Sequence, residues 1–272
     1  MCGRYVMARA AGDLVALGGG ELPDERLELR RSWNVAPTSD VPILLEREAD
    51  GAVRRELHVA RWGLVPSWAK ELAVGSRAFN ARSETVASKP TFRAAVRARR
   101  CAVPVEGYYE WKAPAPGAKG PDGKAAKKQP YYVHPAGAGD GEGPVIWFAG
   151  LYEWWQDPEA EAAGRDPWVL STTILTMAAP DADDEDEVLG SLGDLHDRLP
   201  VPLDAETMDA WLTPGRLGSA EEADALVGQV CAGAYDVAAG WVLRPVGTAV
   251  GNVRNDGPEL IQAEEPAQGT LL

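Results

Sequence analysis

Short apolar segments rich in aromatic and β-branched residues recur along the chain, and they constrain its fold more than any other feature. Turns containing Gly and Pro separate many of them, which is the pattern of strands joined by loops. The predicted strands are Val41–Glu46, Leu57–Trp62, Cys101–Val105, Pro130–His134, Val145–Trp154, Trp168–Met177 and Trp241–Val246. The predicted helices are Ala10–Leu17, Thr91–Arg99, Ala205–Leu212 and Ala220–Ala232. The sequence therefore predicts a strand-rich protein with a smaller number of helices.

The composition is that of an ordinary soluble protein, with 272 residues, 45% hydrophobic and 25% charged. The chain has no run of about 18 apolar residues and no N-terminal leader pattern, so we expect a cytoplasmic protein without a membrane segment. Its three cysteines, Cys2, Cys101 and Cys231, are widely spaced, and its three histidines are scattered. This distribution predicts neither a disulfide framework nor a metal site.

The net charge of −14 disfavours nucleic acid as a partner, but the charge is unevenly distributed. Residues 52–132 contain 16 Lys/Arg and 6 Asp/Glu, a net charge of +10, whereas residues 133–272 contain 5 and 26, a net charge of −21. The middle third can therefore present a positive face to a phosphate backbone, although ordinary solvated surface charge is the alternative. Within it, the spacing of Arg93, Arg97 and Arg100 predicts that they share one helical face.

Cys2 follows Met1 directly, and removal of Met1 would place an α-amine and a thiol on one residue. These groups titrate near ~8 and ~8.5, so both nucleophiles are partly available at neutral pH. The thiol alone can acylate, as in amidohydrolases with an N-terminal nucleophile. Alternatively, the amine can form a Schiff base with an aldehyde, and the thiol then closes a thiazolidine ring. A small buried cysteine that begins an edge strand is the structural alternative.

Further segments contain side chains suited to chemistry or binding, and each also has a structural interpretation. Glu110 lies in the aromatic segment Gly107–Lys112, where a desolvated carboxylate can act as a general acid, but strand alternation could equally direct it to solvent. His196 is flanked by charged residues and followed by a proline, so a site histidine and a structural one are both compatible. We expect Trp62 in the core, whereas Trp68 could either pack there or stack on a base.

Two segments interrupt the pattern of strands and helices. Residues 113–129, rich in Ala, Gly, Pro and Lys, are predicted to form a flexible hairpin insertion. Residues 180–192 contain an acidic run and are predicted to form a solvated, mobile loop. Because no linker divides the remainder, we expect one domain over residues 1–262 and a disordered tail over residues 263–272.

Taken together, the motifs of this chain resemble those of the SOS-response-associated peptidase family, the abasic-site-processing proteins. The matching segments are Met1–Arg4, Trp33–Thr38, Trp62–Trp68, Phe79–Thr85, Gly107–Lys112, His196–Pro200 and Gly251–Asn255. A single motif of this length is weak evidence. Seven motifs in the family's order, covering nearly the whole chain, are a strong match.

The resemblance implies an α+β fold, a single mixed domain of strongly bent, barrel-like antiparallel β-sheets flanked by helices. It also implies roles for individual residues. Cys2 is the expected covalent nucleophile, with Asn80, Glu110 and His196 as its catalytic neighbours. The expected contacts to a single DNA strand are Arg4, Asn34, Thr38, Trp68, Arg82 and Arg198.

The implied activity is covalent capture of abasic sites in single-stranded DNA through a thiazolidine on Cys2, with possible self-removal of Met1. No cofactor, metal or membrane partner is expected, and the protein is expected to be a cytoplasmic monomer that associates with the nucleoid when bound to DNA. Two alternatives remain open. One is a peptidase or amidohydrolase with an N-terminal cysteine, and the other is a non-covalent single-strand binder in which Cys2 is incidental.

Overall fold

The computed structural model describes residues 2–24, 27–120, 123–138 and 143–264. Its strands are β1 Tyr5–Met7, β2 Ser32–Val35, β3 Asp40–Ala49, β4 Ala52–Trp62, β5 Asn80–Arg82, β6 Arg100–Val105, β7 Gly107–Lys112, β8 Gln129–Pro135, β9 Ile146–Gln156, β10 Trp168–Ala178, β11 Arg198–Pro200, β12 Pro202–Leu203 and β13 Trp241–Pro245. Its α-helices are α1 Ala11–Gly18, α2 Arg93–Ala98, α3 Pro158–Ala162, α4 Glu187–Leu195, α5 Ala205–Leu212, α6 Ala220–Ala232 and α7 Ala234–Ala238. Short 3₁₀ helices lie at Leu72–Arg77, Ser83–Thr85, Thr248–Gly251 and Pro258–Ile261.

Strands β10, β4, β3, β6 and β9 pair in a closed ring, so the longest strands of the chain form a barrel. Strand β4 runs parallel to β10, whereas the other pairs of the ring are antiparallel. The short strand β5 also pairs in parallel with β10, beyond the end of β4. Closure removes the unpaired edges that such apolar strands would otherwise expose.

An antiparallel sheet in the order β13-β8-β7-β1-β2 packs against the barrel. Aromatic side chains from both layers meet between them. The ring of Tyr108 on β7 lies 5.8 Å from the ring of Phe148 on β9 and 5.9 Å from that of Trp241 on β13, in edge-to-face geometry. Such pairs add to the free energy gained from burial, so they hold the two layers at a defined spacing.

Helices α1, α2 and α5 pack against strands of the barrel, whereas α4 packs against the five-stranded sheet. The ends of the helices follow the local sequence. Predicted and observed bounds coincide for α5 and α6, where Ser219 caps α6 by accepting a hydrogen bond from the backbone N–H of Glu222. Helix α1 ends where Gly19 adopts the left-handed conformation, with φ of 66°. Trp211 on α5 donates its indole N–H to the carbonyls of Cys101 and Gly150, which attaches this helix to the barrel.

The predicted fold class is confirmed, but several local predictions need correction. Arg100 does not share a helical face with Arg93 and Arg97. It begins β6, where its buried guanidinium donates to the carbonyls of Val96, Trp211 and Thr213. These hydrogen bonds offset the cost of removing the guanidinium from water, so Arg100 is buried instead of exposed on a helix.

The predicted acidic loop over residues 180–192 is too long. The Asp186 carboxylate accepts hydrogen bonds from the backbone N–H groups of Val188 and Leu189, so the last part of the acidic run caps α4 instead of extending a loop.

The predicted insertion and tail lie partly beyond the described residues. The segment 113–129 connects β7 to β8 as a hairpin, in which Lys119 bridges Ala125, and residues 121 and 122 lie outside the description. At the other end, Ala263 bridges Val246, so the paired part of the chain extends into the predicted tail. The remainder of that tail, residues 265–272, lies outside the description.

Membrane-spanning helices and clustered metal ligands are both absent from the described part of the chain. None of its helices is both long and apolar enough to cross a membrane. No three His, Cys, Asp or Glu side chains converge there as ligands for a metal ion would.

Candidate functional site

Cys2 lies at the seam between the five-stranded sheet and the barrel, and it is fully buried. It lies three residues before the start of β1 in the sheet, whereas Asn80 begins β5, which pairs with the barrel strand β10. The Asn80 side chain crosses this seam and donates from Nδ2 to the carbonyl oxygen of Cys2 at 2.8 Å. The start of the chain is therefore held in a defined position by both layers.

The side-chain oxygen of Asn80 is unused. This Oδ1 atom is buried, and it accepts no hydrogen bond from the described residues. A buried amide oxygen without a donor is costly, and such groups are rare outside functional sites. Because its Nδ2 is bonded to Cys2, the Asn80 amide is a candidate acceptor for an amine at the start of the chain.

Glu110 is buried beside Cys2, with 6% of its surface exposed, so strand alternation does not direct it to solvent. Tyr5 lies opposite Tyr108 in the β1–β7 ladder, and the N–H of Tyr109 donates to the carbonyl of Arg4 at 2.9 Å. Continuing this register brings the Cys2–Gly3 backbone alongside Glu110. Oε1 of Glu110 also accepts a hydrogen bond from the backbone N–H of Trp111 at 3.1 Å, which orients the carboxylate.

The electrostatic surroundings of Cys2 agree with this placement. Burial raises the pKa of its thiol far above the ordinary value, and the negative charge of Glu110 raises it further. A hydrogen bond from the backbone N–H of Arg4 acts in the opposite direction. The charge of Cys2 also contributes to the raised pKa values of Tyr5 and Tyr108, after the larger effect of burial. These two phenols, which sequence reasoning did not select, line the same buried region.

His196 follows the last residue of α4, the helix that packs against the strand carrying Glu110. Its Nδ1 accepts the backbone N–H of Arg198 at 3.0 Å, which in the neutral ring leaves the proton on Nε2. The Asp197 carboxylate lies 2.7 Å from the same nitrogen and would pair with the protonated ring. The ring is half-buried, so its surroundings favour one orientation without closing it off from solvent.

Two of the predicted DNA contacts, Arg4 and Asn34, are bonded mainly to the protein itself. Nη1 of Arg4 donates to Oδ1 of Asn34 and to the carbonyl of Val250, both at 2.9 Å. Nδ2 of the buried Asn34 lies within 3.3 Å of the carbonyl oxygens of Val250, Asn252 and Asn255. This geometry gives Asn34 the role of fixing the 250–255 loop.

Arg198 is also engaged with the protein. Its guanidinium forms a two-point ion pair with Glu84 at 2.5 and 2.9 Å and donates to the carbonyl of Thr176 at 2.7 Å. The hydrogen bonds from Arg198 hold the pKa of Glu84 below its usual value. The pair connects β11 to the segment after β5, so it braces the wall of the site next to Asn80.

Trp68 and Arg82, by contrast, are exposed. Trp68 presents 61% of its surface to solvent, from a segment flanked by Gly63 and Gly75, whose backbones approach closely. A β-carbon at Gly63, where φ is 132°, would lie 2.5 Å from the carbonyl oxygen of Gly75. Arg82, at the end of β5, forms no ion pair with any described residue.

Thr38 lies on the edge of a cavity of about 540 Å³ between the 32–40 and 253–256 segments. It is exposed and has a φ of 77°, an unusual backbone conformation for a residue other than glycine. Strained backbone of this kind occurs preferentially at ligand sites. Thr38 therefore lies where a bound strand could reach it.

A second cavity, of about 620 Å³, has Asn80 in its wall. Arg77 and Lys89 also line it, and both are exposed. Sequence reasoning missed these two residues as site residues. The signal that could have found them is their position within the positive middle third, on either side of the Phe79–Thr85 motif.

Solved structures with the same fold include a protein from Bacteroides thetaiotaomicron and a phage-related protein from Bordetella bronchiseptica. The first superposes with a TM-score of 0.68 over 97% of this chain and 100% of its own, at 20% identity. The second superposes with a TM-score of 0.57 over 90% of this chain and 94% of its own, at 25% identity. The arrangement of barrel, sheet and helices therefore occurs in other natural proteins.

Sequence relatives extend over the same length. The abasic site processing protein YoqW of Bacillus subtilis (strain 168) is 31% identical over 265 residues, which cover 97% of this chain and 100% of the relative. The abasic site processing protein HMCES of Rattus norvegicus is 29% identical and covers 99% of this chain and 80% of its own length. The family model described as SOS response associated peptidase (SRAP) matches residues 1–253. The chain therefore belongs to the SRAP family.

Proposed function

We propose that this protein processes abasic sites in single-stranded DNA by capturing the ring-opened sugar aldehyde as a thiazolidine on Cys2. The observation that carries the proposal is the placement of Cys2 at a buried seam, between an amide with an unused oxygen on Asn80 and the carboxylate of Glu110. The names of YoqW and HMCES, both abasic site processing proteins, support the choice of substrate.

The reaction requires that Met1 be removed, so that the nitrogen of Cys2 becomes a free amine. The amine attacks C1′ of the aldehyde and forms a carbinolamine. Loss of one water then gives an imine. The Cys2 sulfur adds to the imine carbon, and its proton ends on the nitrogen, which closes the five-membered ring. One water is released overall, and neither an oxidant nor a reductant is needed.

Three side chains have defined tasks in this scheme. Oδ1 of Asn80 accepts a hydrogen bond from the neutral amine and directs its lone pair toward the sugar. Glu110 transfers protons during carbinolamine formation and loss of water, and it receives the thiol proton on its way to nitrogen. His196 donates from Nε2 to the sugar oxygen that forms when the ring opens. Each proton transfer of this kind is worth about 10²–10⁴ in rate.

Binding of the strand is assigned to the exposed residues around this seam. Arg82 contacts a phosphate, and Trp68 stacks on a neighbouring base or fills the space left by the missing one. Thr38 contacts the backbone from the rim of its cavity. Arg4 adds positive charge to the wall that it holds in place, whereas Arg198, paired with Glu84, acts mainly by bracing its wall. The product protects the lesion from strand cleavage, because the aldehyde required for elimination is consumed.

The same residues are proposed to release Met1. Asn80 donates to the Cys2 carbonyl and the charge of Glu110 acts on the Cys2 thiol, so both side chains lie beside the residue that Met1 precedes. In the proposed step, water attacks the Met1 carbonyl and the bond to the Cys2 nitrogen is hydrolysed. Intact mass of purified E110Q and N80A tests this step. Retention of Met1 in both variants but not in the wild type supports self-removal, whereas loss of Met1 in all three assigns the step to a separate aminopeptidase.

The capture reaction is tested by mixing the protein with an abasic single-stranded oligonucleotide and running a denaturing gel. The wild type is expected to give a denaturant-resistant adduct, and Cys2→Ala is expected to give none. Insertion of one residue before Cys2 should also prevent the adduct, because the amine and thiol would no longer share a residue. Cys231→Ala, on the outer helix α6, is the matched control and should react like the wild type.

The alternatives give different outcomes in the same assay. An adduct that persists in Cys2→Ala would contradict the proposal. Wild-type protein that binds the oligonucleotide on a native gel but forms no adduct is the non-covalent binder. An oligonucleotide without an abasic site and a double-stranded oligonucleotide serve as further controls, and neither should give an adduct.

A further inference from the structure

We infer that the DNA strand flanking the abasic site runs along a cationic track made of Arg77, Lys89, Arg93 and Arg216. The inference rests on the proposed function and deepens it, because it assigns the path of the substrate beyond the reacting sugar. None of these four residues was among the DNA contacts expected from the sequence.

The first part of the track is the 620 Å³ cavity with Asn80 in its wall. Asn80 donates to the Cys2 carbonyl, so the wall of this cavity includes a residue that contacts the candidate nucleophile. Arg77 and Lys89 line it, and neither forms an ion pair with a described residue. Glu71 is its one acidic lining residue in the described part of the chain. Two such cations at the exit of the site are positioned to hold the first phosphates beyond the lesion.

The second part is a cavity of about 360 Å³ lined by Ser88, Arg93, Arg97 and Arg216. It is adjacent to the first, because one continuous segment forms part of both walls: Lys89, Thr91 and Phe92 face the first cavity, whereas Ser88, Arg93 and Ala94 face the second. A strand that leaves Asn80 past Lys89 therefore meets Arg93 next.

The roles of the arginines in this second cavity differ. Arg97 donates to the carbonyl of Leu217 at 2.8 and 3.0 Å and to that of Gly218 at 2.5 Å, so it fixes the loop that presents Arg216. Arg93 and Arg216 are exposed and form no ion pair within the described ranges. The nearby Glu222 is occupied by the backbone N–H of Gly218, which limits its competition for these cations.

The chemistry of the track indicates what it recognises. Its charged lining residues are cations apart from Glu71, and cations are suited to phosphate. Phe92, the aromatic residue in its wall, is buried and unable to stack on a base. Binding along the track is therefore expected to be independent of base sequence and strongly dependent on salt. For single strands, each neutralised phosphate contributes about −0.7 to the slope of log affinity against log salt.

The experiment compares crosslinking to two abasic oligonucleotides, one with flanks of about 4 nucleotides and one with flanks of about 16, the range over which single-strand grooves track a backbone. The variants are R93E/R216E, the neutral pair R93Q/R216Q and the matched control R165E. Arg165 is exposed, follows α3 and forms no ion pair with a described residue. Rates are measured below saturation at several salt concentrations.

The wild type and R165E are expected to react about tenfold faster with the long substrate than with the short one, because additional phosphates are held. R93E/R216E should lose this gain and still react with the short substrate at the wild-type rate. R93Q/R216Q should lose most of the gain and reduce the salt slope by about 1.4, the contribution of two phosphates.

Three results would overturn the inference. In the first, both double variants match R165E on both substrates, and the proposed function then stands without the track. In the second, the double variants also crosslink the short substrate more slowly than the wild type, so the substitutions do not act through the flanking strand. In the third, the wild type crosslinks neither substrate, and the proposed function itself fails.

Discussion

The seam around Cys2 and the rim around it are built in opposite ways. At the seam, Glu110 is buried, Asn80 is half-buried, and both form hydrogen bonds with the backbone. The adjoining Arg4 and Asn34 bond to each other and to the 250–255 loop. At the rim, Trp68, Arg82 and the cationic track are exposed, and their cations lack ion-pair partners among the described residues. The two regions meet at Asn80.

This difference separates two requirements of the proposed reaction. Chemistry on a sugar carbon needs groups held within a fraction of an ångström, and burial with several hydrogen bonds provides that rigidity. Binding of a flexible strand needs charge and aromatic surface that adapt to many backbone conformations. A substitution at the seam should therefore change rate or stability, whereas one at the rim should change affinity.

The largest effect is expected from Glu110→Gln. Glutamine keeps the shape and the hydrogen bond from Trp111 but cannot transfer protons as a carboxylate does, so the crosslinking rate at saturating DNA should fall by about 10²–10⁴. Affinity for intact single-stranded DNA should be unchanged. If the variant instead binds DNA more weakly but reacts at the wild-type rate once bound, Glu110 contributes to DNA binding and not to the chemistry.

Asn34→Ala should reduce stability rather than remove a DNA contact. It removes hydrogen bonds from Arg4 and from carbonyls of the 250–255 loop, most of them part-buried, so we expect a loss of about 2–4 kcal/mol in the free energy of unfolding. Urea denaturation measures this loss, with the exposed Ser39→Ala as control. Unchanged stability together with weakened DNA binding would show that Asn34 acts on DNA directly.

Trp68→Ala should weaken binding of single-stranded DNA by about 1–3 kcal/mol, the value of one stacked base, with no change in unfolding. Trp168→Ala is the matched control, because Trp168 is also exposed, with 53% of its surface accessible, on the hairpin of β9 and β10. Fluorescence anisotropy with a labelled oligonucleotide measures both. Equal losses of affinity in the two variants would contradict a specific role for Trp68, because Trp168 is not assigned to the DNA-binding rim.

The smallest effect concerns His134, a buried residue outside both regions. Burial lowers the pKa of its ring, which stacks on Tyr132, so the unfolded chain binds a proton more readily than the folded one. Its neutral ring therefore stabilises the fold fully above the unfolded pKa of about 6.5, and stability falls as pH decreases from there toward the lower folded value. His134→Phe should show a smaller loss of stability between about pH 7.5 and about pH 5.5, on either side of that unfolded value. An identical loss in variant and wild type would contradict this.

Local patterns in the sequence predicted most of the secondary structure. Strand composition, the Ser219 cap and the glycines after α1 each act over a few residues, so their effects can be read without the fold. The errors have a common cause. Arg100 was assigned to a helix from its spacing and the Asp186 region to a loop from its charge. In the folded chain, Arg100 donates to backbone carbonyls and Asp186 accepts from backbone N–H groups.

The sequence by itself determined the family, the strand-rich architecture and the candidate reacting residues, because these depend on residue types in a fixed order along the chain. Only the tertiary structure decided which charged and polar residues are open to a partner. Asn34 and Arg198 bond to groups more than 100 residues away, whereas Arg77 and Lys89 find no ion-pair partner among the described residues. A side chain's freedom to bind depends on what the fold places beside it, and that contact is absent from the linear sequence.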